Sequence, residues 1–228
     1  MSASNSIRTL AVGALWPAKA RLDYLRLRLN PPGYVLQGRT YPIHVGWYNK
    51  TWRNERQVEI PPALELIAAT PPEEVLEVGN VLAHYGSTGH TVVDKYELSP
   101  SSLAIDVVDY QPGRHFQLVV AISTLEHVGW DEPERDPAKF RRAVRQLASL
   151  LWPGGVLWAS VPLGHNPAAD AFVREPDPGF EISFLVRGSK RPGDWREATA
   201  VDPAAHLYDP TIPTARAVAI IRHRAPTG

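Results

Sequence analysis

The sequence predicts an α/β fold built on a doubly wound, mostly parallel sheet. Short apolar runs alternate along the chain with loops and helical segments, which is the order typical of parallel sheets. Most of these runs are apolar without alternation, so they are expected to be buried on both faces. The runs assigned to the sheet are Val75–Val78, Thr91–Asp94, Ala104–Asp106, Phe116–Ile122 and Val156–Val161.

The chain is organised around the first of these runs, which ends at Gly79. Glu77 stands just before this glycine, and a residue without Cβ permits the sharp bend needed there. The second run ends in Asp94; in nucleotide-binding α/β domains an acid at this place accepts hydrogen bonds from a ribose diol. Since open α/β sheets bind ligands at strand ends, these residues indicate a ligand site. A buried strand followed by an ordinary loop is the alternative interpretation.

Four segments carry a family resemblance: VLEVG (75–79), VVDKYE (92–97), FQLVVAISTLEHV (116–128) and LLWPGGVLWASVP (150–162). In them the chain resembles the small-molecule branch of the class I S-adenosylmethionine-dependent methyltransferases. The resemblance implies a seven-stranded sheet with an antiparallel last strand, for which the final strands are expected at 180–186 and 217–221. It also implies S-adenosylmethionine as cofactor. The cofactor-binding residues assigned on this basis are Glu77, Gly79, Asn80, Asp94, Asp106 and Ser123.

The chain departs from the family in two places. Val81 and Ala83 stand where the family pattern acid-x-Gly-x-Gly-x-Gly has its later glycines, and a Cβ limits how closely backbone approaches a ligand. The connections 80–90 and 95–103 are also shorter than the dozen or more residues of a usual parallel crossover. The helix expected in the second connection should therefore be missing or reduced to a turn.

Two histidines are candidates for the chemistry. His127 follows the fourth strand and His165 follows the fifth, so both are expected at the carboxyl edge of the sheet. Imidazole titrates near neutral pH and can take a proton from an acceptor group. We therefore name His127 and His165 as candidate catalytic residues, with a structural role for His127 as the alternative.

The sequence assigns no metal ligand. Some members of the family hold a divalent metal through a Glu-x-x-Glu-His pattern. Here Ser123 stands at the first of those positions, before Glu126 and His127, so the pattern is incomplete. A divalent metal is left open without support.

Residues 1–70 precede the methyltransferase-like core, which is assigned to residues 71–228 within one structural domain overall. Rings, amides and guanidinium groups crowd residues 41–56, and these groups can stack on and hydrogen-bond a ligand; core packing of the rings is the alternative. The candidate acceptor contacts are His44, Tyr48, Trp52, Arg53 and, after the fifth strand, Asn166. A helix predicted over Ala63–Ala69, opened by Pro61 and Pro62, would complete an N-terminal helical cap over the cofactor site.

Two further segments complete the assignment. The pattern of 136–151 predicts the clearest helix, with Asp136 as N-cap and Pro137 in the first turn. Residues 187–213 are polar and rich in proline and glycine, and they carry no assignment.

Composition excludes several classes of function. The 228 residues contain 24 basic and 24 acidic side chains, so no overall field favours nucleic acid or a membrane surface. Cysteine is absent, which excludes disulfides and thiolate metal sites. No apolar run has the length of a transmembrane helix. Residues 7–16 faintly resemble a signal peptide, but their apolar core is short, so an N-terminal helix or arm in a cytoplasmic protein is preferred.

Two functions follow from the sequence. The first is transfer of a methyl group from S-adenosylmethionine to a hydroxyl of a small polar metabolite such as a sugar, with no nucleic-acid or membrane partner and with homo-oligomerisation left open. The second is a non-catalytic ligand-binding or interaction domain that retains the methyltransferase fold.

Overall fold

The computed structural model describes residues 18–97, 99–189, 191–206 and 214–228. Its first elements are helix α1 over residues 18–29, a hairpin of β1 (Gly33–Leu36) and β2 (Arg39–Pro42), a 3-10 helix over Tyr48–Arg53, and helix α2 (Arg56–Ala68). The N-terminal part is helical as predicted, but it also contains a hairpin that the sequence patterns did not indicate. The helix or arm predicted at residues 7–16 lies outside the described residues.

Within its described residues the chain then forms an eight-stranded sheet. Its strands are β3 (Val75–Val78), β4 (Thr91–Val93), β5 (Ser102–Leu103), β6 (Phe116–Ile122), β7 (Leu151–Pro162), β8 (Phe180–Arg187), β9 (Trp195–Ala198) and β10 (Ala217–Arg224). They lie in the order β5-β4-β3-β6-β7-β10-β8-β9. The first five strands in this order (β5, β4, β3, β6 and β7) pair in parallel with their neighbours. Strand β10 pairs antiparallel with both β7 and β8. The predicted α/β fold with a mostly parallel sheet and an antiparallel last strand is confirmed.

The sheet differs from the prediction at its two edges. It has eight strands rather than seven, because β9, from the segment without an assignment, pairs antiparallel with β8. At the other edge the third strand is Ser102–Leu103, not Ala104–Asp106. Strand β5 pairs with β4 only at Ser102 and Leu103. Asp106 lies beyond this pairing and instead caps a 3-10 helix over Val107–Asp109 by accepting from the N–H of Val108.

The first two crossovers are short, as the sequence indicated. Residues 79–90 contain only a 3-10 helix, Leu82–Tyr85, and the described part of 94–101 contains no helix. Among the described helices, none is long and apolar enough to cross a membrane.

Helix α3 (Lys139–Ser149) and helix α4 (Pro167–Arg174) connect the later strands. Helix α3 begins three residues after the predicted N-cap, because Asp136 accepts from the N–H of Ala138 at 2.9 Å and so closes the preceding turn. Helix α4 is capped by Asn166, whose side chain accepts from the N–H of Ala168 at 2.9 Å.

Helix α2 begins earlier than predicted, with two prolines inside it. Pro61 and Pro62 lack the N–H that would bond the carbonyl four residues earlier, which leaves the carbonyls of Gln57 and Val58 available. The backbone N–H of His44 donates to the first at 2.8 Å, and the hydroxyl of Tyr34 donates to the second at 2.7 Å. The prolines thus create the acceptors through which the N-terminal segment docks on α2.

The sheet buries both faces. Side chains alternate across a strand, and in β6 Val119 and Ala121 belong to one buried cluster while Val120 and Ile122 belong to another. The first cluster contains the apolar side of α3 and α4; the second contains the hairpin and α2. The N-terminal segment is therefore part of the packing of one sheet face.

Gly79 follows β3 and packs against Thr124, which follows β6. Its φ is +83°, and a Cβ there would stand 2.3 Å from Oγ1 of Thr124. The backbone N–H of Gly79 donates to the carbonyl of Val93 at 2.8 Å. Both the backbone conformation and the space therefore require glycine at this position.

Gly79→Ala is expected to destabilise the protein more than Gly38→Ala. Gly38 has a similar φ of +75°, but a Cβ added there would meet nothing within 4 Å, so its substitution measures the cost of left-handed backbone alone, about 1–2 kcal/mol. Overpacking against Thr124 should add about 1–3 kcal/mol at Gly79. Urea unfolding of both variants measures the difference, and equal losses would show that the contact with Thr124 relaxes freely.

Candidate functional site

A cavity of about 730 Å³ opens at the carboxyl ends of β3, β4 and β6. From β3 the chain proceeds outward through β4 and β5, then returns to the other side of β3 as β6. This reversal of strand order is where open α/β sheets bind ligands. Of the residues predicted to bind cofactor, Gly79, Asn80, Asp94, Asp106 and Ser123 line the cavity.

Glu77 organises the loop above the first strand. It is fully buried, and its Oε1 accepts from the N–H groups of Val81 and Leu82 at 2.9 and 2.8 Å. Its Oε2 lies 2.7 Å from Nε2 of His90. The structure thus places Glu77 beneath the loop, with both oxygens bonded to protein groups, and it shapes the cavity through the backbone that it holds.

Asp94 and Asn80 form the turn beside this loop. Asp94 accepts from the N–H of Asn80 at 3.2 Å and from those of Tyr96 and Glu97 at 2.9 Å. The amide of Asn80 donates to Oε1 of Glu97 at 2.6 Å. Asn80 Oδ1 is buried and has no partner in the part of the chain that the structure describes. A buried unpaired oxygen is costly, so this atom is suited to a ligand's donor.

Asp106 sits in a cluster of alternating charges. Its Oδ2 accepts from Nζ of Lys139 at 2.6 Å and from Nζ of Lys95 at 2.9 Å, and Glu132 accepts from both lysines. Burial alone would raise the pKa of Asp106, but the hydrogen bonds from Lys139 and Lys95 outweigh it and lower the pKa. Asp106 is therefore ionised, and the cluster fixes it at the cavity wall.

His127 and His165 come together, although they follow different strands. Nδ1 of His127 lies 2.5 Å from Oδ2 of Asp131, and Nε2 of His165 lies 2.9 Å from the same oxygen. The two rings meet edge to face with centroids 5.1 Å apart. Burial would raise the pKa of Asp131, but hydrogen bonds from both histidines lower it. His127 and Asp131 line the cavity.

Two buried carboxyl groups lie behind the cavity wall. Glu59 of α2 is fully buried and accepts from Oγ of Ser123 at 2.6 Å. Burial raises the pKa of Glu59 to about 7, and it raises that of Glu126 well above the usual value. Ser123 itself adopts a left-handed φ of +41°, a strained conformation for a non-glycine residue that recurs at active sites.

The aromatic residues of the N-terminal segment divide between cavity and core. Tyr48 lines the cavity and stacks on His84 with centroids 4.3 Å apart. His44 contacts the ring of Tyr85, another lining residue, and burial lowers the pKa of His44. Trp52 is buried under the guanidinium of Arg53. The core-packing alternative thus describes Trp52, whereas Tyr48 faces the cavity.

Asn166 follows the fifth of the predicted strands, as expected, but its side chain is buried between two loops. It is 1% exposed, and its amide donates to the carbonyl of Glu126 at 2.9 Å. It therefore joins the loops that follow β6 and β7, and its side chain has no place in the cavity wall.

Several lining residues were not predicted from the sequence. Asp131 stands four residues after His127, a spacing that one helical turn brings together. Glu97 belongs to the VVDKYE segment, in which only Asp94 had a predicted role. Tyr85 reaches the cavity only because the loop 79–90 folds over the sheet, and no local pattern indicates that.

Searches against protein-family models and against curated proteins found no match. Similar solved structures include the N-methyltransferase NodS from Bradyrhizobium japonicum WM9 in complex with S-adenosyl-L-homocysteine, with 15% identity over 72% of this chain and 84% of that chain and a TM-score of 0.48. An rRNA methylase from Streptococcus thermophilus has 10% identity over 73% and 96%, with a TM-score of 0.43. The CcbJ methyltransferase from Streptomyces caelestis has 14% identity over 72% and 88%, with a TM-score of 0.36. All three of these solved structures are described as methyltransferases.

Proposed function

We propose that the chain is an S-adenosylmethionine-dependent methyltransferase that acts on a hydroxyl of a small polar molecule. The observation that carries this proposal is the cavity at the strand reversal, which has two different ends. Oxygen acceptors and apolar side chains surround the ends of β4 and β5, while the pair His127–Asp131 stands at the end of β6. One end suits a nucleoside and the other suits removal of a proton.

The first end has the groups that the cofactor requires. Asp94 and Glu97 offer carboxylate oxygens to ribose hydroxyls, and the unpartnered Oδ1 of Asn80 offers an acceptor to a cationic amine. Ile105 and Val107 flank Asp106 and offer apolar surface to a purine. Bound there, S-adenosylmethionine would supply a methyl group on a positively charged sulfur.

The second end has a base that its neighbour orients. Asp131 holds Nδ1 of His127, so the proton stays on that nitrogen and the lone pair of Nε2 can accept another. The acceptor oxygen forms its bond to the methyl carbon as the carbon–sulfur bond breaks and the sulfur keeps that electron pair. The hydroxyl proton then passes to Nε2 of His127, which general-base catalysis requires to lie within hydrogen-bond reach.

The N-terminal segment supplies the wall over the acceptor. Tyr48, Asn49 and Arg56 line the cavity opposite the strand ends, and their ring, amide and guanidinium groups suit a polyhydroxy compound such as a sugar. We therefore assign the segment before residue 70 to acceptor binding, with the methyltransferase core after it.

Asp94→Ala is expected to weaken binding of S-adenosylmethionine by about 1–3 kcal/mol, because it removes a charged acceptor and loosens the turn at residues 94–97. Asp109→Ala is the matched control, since Asp109 is exposed and outside the cavity wall. Calorimetric titration of both variants with the cofactor measures the effect. A dissociation constant unchanged in folded Asp94→Ala would remove this residue from the cofactor site.

His127→Ala is expected to lower turnover by about 10²–10⁴-fold, the usual contribution of a general base. Affinity for the cofactor should stay within a few-fold, because the ring stands at the other end of the cavity. Release of S-adenosylhomocysteine, measured with sugars and other polyols as acceptors, reports turnover. His115→Ala, an exposed histidine beside Trp152, is the control.

Two outcomes would contradict the assignment. If folded His127→Ala turns over at the wild-type rate, His127 has a structural role and His165 becomes the candidate general base. Cofactor binding without turnover on any acceptor would favour the non-catalytic binding domain.

A further inference from the structure

His127, Asp131 and His165 bring three possible metal-ligand atoms together beyond the ends of β6 and β7. One ligand atom from each lies within 4.8 Å of the others. The two imidazole nitrogens face the same oxygen of Asp131, at 2.5 and 2.9 Å. With metal–ligand bonds of about 2.1 Å, tetrahedral ligands stand about 3.4 Å apart. A small outward movement of these side chains would therefore place a cation between them.

The backbone holds these three side chains in place. The N–H of Asp131 donates to the carbonyl of His127 at 3.1 Å, which keeps both on one turn. Asn166, next to His165, donates to the carbonyl of Glu126, next to His127, at 2.9 Å. That bond is buried and spans 40 residues of sequence. The distance between the two histidines is thus fixed by a side chain that otherwise has no part in the cavity.

A buried carboxyl group stands behind His127. Oε1 of Glu126 lies 3.7 Å from Nε2 of His127, the nitrogen on the far side of the ring from Asp131. Glu126 is 3% exposed, and its Oε2 has no partner among the described residues. Histidines that bind a metal commonly donate their other N–H to a carboxylate, which orients the ring and increases its basicity. Glu126 stands on that side of the ring, and it would have to come about 0.7 Å closer to accept from the Nε2 N–H at hydrogen-bond length.

The geometry points to a site for a divalent first-row transition metal ion of the zinc type, held by Nδ1 of His127, a carboxylate oxygen of Asp131 and Nε2 of His165. Two imidazoles and one carboxylate favour such ions over Mg²⁺, which prefers oxygen ligands. Three protein ligands leave at least one coordination position open. This position faces the cavity, because His127 and Asp131 line it.

The ion would change the role of His127. With Nδ1 bound to metal and the proton on Nε2, His127 is a ligand and no longer a base. An acceptor oxygen would then occupy the open position, where the metal makes a hydroxyl more acidic. This consequence rests on the proposed function, whereas the metal site itself does not.

The test is a calorimetric titration of the full chain, without a histidine tag and freed of metal by a chelator, with Zn²⁺ alone. The wild type should bind one equivalent. His165→Ala and Asp131→Asn should each weaken binding by about 100-fold or more, and Glu126→Gln by about 10-fold. His115→Ala should bind as the wild type does, and Mg²⁺ should not compete.

A second measurement guards against variants that do not fold. Thermal unfolding without metal establishes that each variant is folded. Zn²⁺ should raise the melting temperature of the wild type and of His115→Ala most, that of Glu126→Gln less, and those of His165→Ala and Asp131→Asn least. Absence of stoichiometric Zn²⁺ binding by the wild type, or unchanged binding by folded His165→Ala and Asp131→Asn, would overturn the site. If the metal site is overturned but the metal-free protein binds S-adenosylmethionine, the proposed function stands. If the protein binds Zn²⁺ but not the cofactor, the metal site stands and the proposed function fails.

Discussion

The cavity depends on one buried carboxylate, Glu77. The connection from β3 to β4 is too short for the helix that normally covers a parallel crossover, so its backbone needs another anchor. Glu77 supplies it by accepting from two N–H groups at the start of the 3-10 helix Leu82–Tyr85 and by pairing with His90 before β4. Buried charge is tolerated only when it is bonded in this way. The bonds of Glu77 thus position the loop 79–90, the bend at Gly79 and the amide of Asn80.

A second constraint joins the N-terminal segment to the sheet. The first turn of α2 is buried and polar: Glu55 accepts from the N–H of Ala215 at 2.8 Å, Gln57 from that of Gly193 at 2.7 Å, and Glu59 from the hydroxyl of Ser123 at 2.6 Å. These bonds reach three separate parts of the core. Since buried polar groups are costly when unpaired, they fix how α2 lies over the strand ends. They therefore also position the wall to which Tyr48 and Arg56 belong.

The histidine cluster shows how a site arises between distant segments. His127 and Asp131 share a turn, but His165 arrives from the next strand, and the buried amide of Asn166 holds the two loops together. The parallel order of β6 and β7 brings their carboxyl ends to one edge, so proximity follows from topology. The separation of the two histidines follows from that amide, which joins the two loops by a hydrogen bond and does not line the cavity.

The sequence by itself determined the α/β class, most of the runs that form the central strands, the glycine bend and the edge of the sheet at which the cavity lies. Apolar runs that stop at Gly79 and Asp94 express those features locally, because burial and backbone freedom act over a few residues. Only the tertiary structure decided that Glu77 supports the loop, that Trp52 packs while Tyr48 faces the cavity, and that β9 adds an eighth strand. Each of these depends on partners far away in the chain. For the same reason, the sequence did not predict the contact between His165 and Asp131, which are 34 residues apart. No local pattern encodes a contact that two loops make only after the sheet has formed.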